Sequence, residues 1–101
     1  MAEGGVIPRQ RPILDVSPQP FNPQTRLRFV VPAAGPVSIT IYDVLGREIR
    51  TLVEEHNMPS GIYFYTWDGE DKHGIGVGTG VYFCRLNAGG QSAVRKLVLI
   101  R

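Results

Sequence analysis

The chain has 101 residues, 43% of them hydrophobic, with 11 basic and 9 acidic side chains and a formal charge of +2. That length closes one hydrophobic core rather than two, no run of about 18 apolar residues is present to cross a bilayer, and the scattered charges build no field for a polyanion. Nucleic acid and membrane insertion are therefore not expected, and Cys84, the only cysteine, has no partner for an intrachain disulfide.

Residues 1–12 are Gly, Pro and Arg with little to bury, which predicts a linker or disordered tail before a folded domain over 13–101. Met1-Ala2-Glu3-Gly4-Gly5 lacks the basic-then-apolar order of a secretory signal peptide. From Ile13 onward short apolar runs alternate with turn residues and no window keeps a helical period, so about seven antiparallel strands are expected. The first covers 13–17 and ends in Pro18-Gln19-Pro20-Phe21-Asn22-Pro23, three residues of which lack a backbone donor, as suits an edge or crossover segment. Residues 25–31 alternate, with Leu27, Phe29 and Val31 inward and Arg26 and Arg28 outward.

After a turn over 32–36, residues 37–43 put Val37, Ile39 and Ile41 inward and Ser38, Thr40 and Tyr42 outward, and Gly46 closes a bulged hairpin. Residues 47–53 break the alternation, with Ile49 and Leu52 three apart, which predicts a bulge or a strand that changes edge. Over 61–68, Tyr63, Tyr65 and Trp67 share a face expected to dominate the core. Residues 80–88 and 92–100 form the last hairpin around Gly89-Gly90, and the two-sided apolar stretch 97–100 predicts a central strand, or one covered by a neighbouring domain. The fold class expected is an all-β antiparallel sandwich. Tyr82, two residues before Cys84, has the spacing of a tyrosine corner, although the partner cysteine is missing.

Chemistry is sparse. His56 and His73 lie in polar stretches and read as solvated loop residues, and Cys84 lies within a strand, so no nucleophile, base and acid converge. Two histidines and one cysteine do not complete a zinc site. Asp68 and Asp71, within Asp68-Gly69-Glu70-Asp71-Lys72-His73-Gly74, are the candidate calcium ligands. The plainer reading is a long hairpin connection in which both carboxylates bond local amides while Gly69, Gly74, Gly76, Gly78 and Gly80 take strained dihedrals. Gly74-Ile75-Gly76-Val77-Gly78 has no following helix to cradle a phosphate. Tyr42 and Phe64 are candidate sugar-stacking aromatics; the plainer reading is that Phe64 packs under a neighbouring strand or domain, single exposed aromatics being common.

The ordered set of Pro18-Gln19-Pro20-Phe21-Asn22-Pro23, residues 25–29, residues 37–47 (VSITIYDVLGR), Trp67-Asp68-Gly69, Gly80-Val81-Tyr82-Phe83 and Arg95-Lys96-Leu97-Val98-Leu99 resembles the type A C-terminal sorting domains of the type IX secretion system. It also resembles the related immunoglobulin-like domain of flagellar hook-capping proteins. The resemblance covers essentially 13–101 and implies an immunoglobulin-like β-sandwich without catalytic activity or cofactor. It implies attachment to the upstream domains of a larger secreted or cell-surface protein, handled by the outer-membrane secretion machinery and a sortase-like enzyme. The recognition elements it implies are Pro18, Pro20, Pro23, Gly80, Tyr82, Arg95 and Lys96. The other expectation is a structural or carbohydrate-binding accessory sandwich, and termination at Arg101, just after the basic-apolar strand, fits the sorting reading.

Overall fold

The computed structural model describes residues 11–101, so the expected tail over 1–12 lies almost wholly outside the described residues; Pro12, counted in that tail, is buried. Seven strands follow: β1 (Ile13–Ser17), β2 (Thr25–Val31), β3 (Gly35–Asp43), β4 (Glu48–Met58), β5 (Gly61–Trp67), β6 (Gly80–Ala88) and β7 (Gln91–Leu99). They form two antiparallel sheets, ordered β1-β2-β5 and β4-β3-β6-β7. This is an immunoglobulin-like sandwich whose fourth strand sits beside the third, whereas constant-type antibody domains place it with the first, second and fifth.

The alternation read from the sequence is the alternation of burial. Leu27, Phe29 and Val31 of β2 face Val37, Ile39 and Ile41 of β3 across the core, joined by Leu14, Trp67, Cys84, Leu86, Leu97 and Leu99. Each such aliphatic or aromatic side chain contributes about 1.5–3 kcal/mol by leaving water, and this layer holds the sheets together. Phe21, from the connection between β1 and β2, is also fully buried, with its ring centroid 5.6 Å from that of Trp67.

The broken pattern in β4 has a register explanation. Pairing with β3 steps from Val53 to Thr51 and from Arg50 to Glu48, leaving Leu52 and Ile49 as the inserted residues. Both inserted side chains turn to the core, which puts apolar residues three apart. β4 also continues to Met58, beyond the expected end, because residues 54–58 are mostly exposed and polar and carry no periodicity. His56 therefore lies on this strand rather than in a loop. Thr40, expected outward, is buried by its neighbour, with its hydroxyl 3.3 Å from that of Thr51.

Three further expectations are corrected. The aromatic face of β5 does not dominate the core: Trp67 is fully buried, but Tyr63 is only half-buried and Tyr65 is exposed, because the sandwich opens on that side. β7 is not central in its sheet; it is an edge strand, and its two-sided apolar end is covered by the segment after β1. Of the glycines between β5 and β6, Gly69 and Gly74 take positive φ, whereas Gly76, Gly78 and Gly80 do not.

Candidate functional site

Two of the segments singled out by the sequence, the one after β1 and the start of β6, adjoin the second half of β7. The connection after β1 passes through cis Ser17–Pro18 and Gln19–Pro20 bonds. Prolines cannot donate to a ladder, so Gln19 between them makes the contact with its side chain: Nε2 donates to Lys96 O at 2.7 Å, and Oε1 accepts from Val98 N at 3.0 Å. The backbone then takes over. Phe21 N donates to Val98 O and Ile100 N donates to Phe21 O, each at 2.9 Å, in a short parallel bridge opposite Leu99. Residues 77 positions apart are thereby joined at one edge.

On the other side of β7, Gly80 pairs with Leu99 and Tyr82 with Leu97. The Tyr82 hydroxyl donates to Gly78 O at 2.7 Å, completing a tyrosine corner without any disulfide, and its ring meets Trp67 edge-on at 5.6 Å. Burial pushes the Tyr82 phenol above its ordinary value, opposed by the nearby Arg101 charge. Beyond β7, Arg101 enters the β5–β6 connection. Its backbone N donates to Thr79 Oγ1, and its guanidinium donates to Val77 O and Gly69 O. A Cβ on Gly69 or Gly76 would fall within 2.9 Å of that guanidinium, so both glycines make room for it. Trp67 Nε1 donates to Glu70 O at 2.9 Å in the same connection.

Gly80 and Tyr82 thus lie on the β6 side of β7, Pro18 and Pro20 flank the Gln19 that bonds its edge, and Pro23 is half-buried beside the turn at Gly69. Arg95 and Lys96 are both exposed but lie on opposite faces of the strand, with Lys96 in register with Phe83 and Tyr42 on the outer face of the sheet. Sequence reasoning marked the segment 18–23 without singling out Gln19 or Phe21 within it, and it missed Arg101. The available signal for Gln19 was an amide side chain between two residues without an N–H.

The carboxylates act as turn acceptors. Asp68 Oδ1 accepts from Glu70 N at 3.2 Å, and Asp71 Oδ1 accepts from Ile75 N at 3.0 Å and His73 N at 2.8 Å. Those amides hold the Asp71 carboxyl below the usual range. No group of three or more His, Cys, Asp or Glu able to hold a metal occurs among the described residues. Cys84 is sealed in the core, where burial pushes its thiol up to about 12, while His56 and His73 are exposed; the thiolate required of a nucleophile is thus disfavoured. Among the described residues no helix is long and apolar enough to cross a membrane.

The profile of the FlgD Ig-like domain matches residues 21–92. No curated protein matches the chain. Among solved structures, the chain is similar to dimeric latent PorU from Porphyromonas gingivalis, at 22% identity and TM-score 0.64, over 95% of this chain and 10% of that one. It is similar to FlgD from P. aeruginosa, at 18% identity and TM-score 0.54, over 72% of this chain and 59% of that one. It is also similar to PorZ, a surface component of the type IX secretion system of P. gingivalis, at 20% identity and TM-score 0.59, over 87% of this chain and 11% of that one. The chain therefore spans about a tenth of PorU and PorZ.

Proposed function

From the premise that the chain belongs to the FlgD Ig-like domain family, we propose that it is a non-catalytic module that addresses a larger secreted protein to the type IX secretion machinery of the outer membrane. A sortase-like enzyme would then act on the delivered protein at the cell surface. The observation that carries this reading is the assembly at β7. The segments marked by the resemblance lie at opposite ends of the sequence, yet Gln19 and Phe21 bond Lys96, Val98 and Ile100, and Gly80 and Tyr82 pair with Leu99 and Leu97. A receptor that reads this surface reads a folded shape, because no linear peptide presents these groups together. The likeness to PorZ, in which such a domain is one part of a much longer chain, supports the same reading.

The family match also supports a purely structural role in a larger assembly. A carbohydrate platform has less behind it: Arg26 lies over the Phe64 ring, 4.2 Å from its centroid, and Arg85 lies 5.9 Å from that of Tyr42. The test is a signal-peptide-bearing reporter fused to residues 13–101, expressed in a bacterium with type IX secretion and in an isogenic strain lacking it. Reporter at the surface or in the medium only in the first strain is the expected result. Reporter held in the periplasm of both, with the domain folded, would establish the structural role instead.

A further inference from the structure

The sandwich has four edge strands, β1 and β5 in one sheet and β4 and β7 in the other. An edge offers unpaired amide and carbonyl groups to any passing strand, and soluble proteins blunt such edges with charge, proline, bulges, shortness or cover. Three of these edges are guarded in that way. β7 is covered over its second half by Gln19 and Phe21. β1 has five residues and lies against β7. β4 carries Glu48, Arg50, Glu54, Glu55 and His56 and is bulged.

Among the described residues β5 has none of these devices. Its sequence, GIYFYTW, contains no charge and no proline, and it pairs with β2 through seven consecutive partners without a register shift. Ile62 is 58% exposed, Phe64 53% and Tyr65 38%. An uncharged, aromatic, β-favouring edge of this kind is a template for strand addition.

Along this edge, between β5 and β4, runs a groove of about 400 Å³ whose floor and walls include Phe29, Leu52, Met58, Tyr63 and Tyr65, and whose charged residues are Glu54 and Glu55. The floor is fixed: Phe29 stacks on Tyr63 at 5.5 Å, and the Tyr63 hydroxyl donates to Pro59 O at 2.6 Å. We infer that the free edge of β5 and this groove form a docking site for an extended segment of a partner polypeptide that turns both apolar and basic residues, at every second position, toward the groove. Main-chain pairing to β5 supplies affinity, the apolar side chains enter the groove, and Lys or Arg at its rim meets Glu54 and Glu55. Charge selects this occupant over a second copy of the chain. A β5 from another copy brings no basic residue and leaves the glutamates of both copies unanswered. Because β1 lies against β7, this site is on the opposite flank from the β7 surface and stands independently of the sorting reading.

The test is titration of the full chain with a short, capped peptide of repeating Val-Thr-Lys-Thr, in which valine and lysine share one face of the strand, followed by amide NMR. Saturable binding is expected, with shifts confined to β5 and residues 52–58. Reversal of both charges, Glu54→Lys with Glu55→Lys, at exposed positions where the fold should hold, is expected to weaken binding about tenfold. The matching peptide with glutamate in place of lysine should bind the reversed chain in preference to the original. Absence of saturable binding, shifts elsewhere, or indifference to charge reversal would overturn the proposal. So would a concentration-dependent dimer that occupies β5 without peptide, which would assign the edge to a second copy.

Discussion

Replacement of Trp67 by alanine is the perturbation that most tests the architecture. The side chain is 0% exposed and lies between Phe21 and Tyr82, each with its ring centroid 5.6 Å away. Trp→Ala in a core costs about 3–5 kcal/mol in transfer and cavity terms, and each lost aromatic pair adds about 0.5–1.5 kcal/mol. Loss of the indole donor to Glu70 O adds about 1 kcal/mol. A total of at least about 5 kcal/mol is comparable with the whole stability of a small domain, and at about 4–8 °C per kcal/mol it lowers Tm by about 20 °C or more. Trp67→Phe keeps a ring against Phe21 and Tyr82 and should cost about 1–2 kcal/mol. Far-UV circular dichroism during heating reads both variants without depending on the fluorescence of the residue removed. A Tm loss of less than about 5 °C for Trp67→Ala would refute the assignment of this side chain as the junction of strand core, β1–β2 connection and tyrosine corner.

Four further outcomes follow from local geometry. Gly69→Ala places a Cβ at φ +77°, 3.1 Å from Pro23 O and 2.9 Å from Arg101 Nη2, and should cost about 1–3 kcal/mol in urea denaturation. Gly76→Ala meets only the movable end of Arg101, without that backbone strain, and should cost about 1 kcal/mol or less. Cys84 should resist a thiol-specific reagent at mildly alkaline pH in the native protein and react on unfolding; prompt native labelling would contradict its burial. Asp43, whose carboxyl is held low first by the Arg47 amide, contributes stability above the ordinary carboxylate value of about 3.9 and loses it as pH falls through the lower folded value. Asp43→Asn should therefore flatten the acid limb of a urea-midpoint profile, and an unchanged limb would count against the Asp43-braced hairpin.

What the sequence made legible was whatever depends on one strand at a time. The alternation of β2 and, Thr40 apart, of β3, the hairpin at Gly46 and the burial of Trp67 are set by side-chain period and turn chemistry, and they are found as expected. Position within a sheet is a property of pairs of strands, and there the reading strayed. Leu97-Val98-Leu99-Ile100 looks central because both faces are apolar, yet β7 is an edge whose cover comes from Gln19 and Phe21, 77 or more positions away. Tyr65 shares a period with Trp67, but the sandwich gapes beside it, so equal phase does not bring equal burial. Arg101 showed no signal, because what makes its site is the absence of side chains at Gly69 and Gly76.

The most direct measurement of the sorting role takes the reporter carrying residues 13–101 and reverses the two exposed charges of β7, Arg95→Glu with Lys96→Glu. Deleting the strand would be uninformative, since Leu97 and Leu99 are fully buried and their loss would unfold the domain. The double reversal sits on the surface, where substitutions shift stability by only about 0.5 kcal/mol. Reporter retained in the periplasm, with the variant's Tm unchanged, is the expected result. Export at the level of the unaltered domain would contradict recognition through the β7 surface.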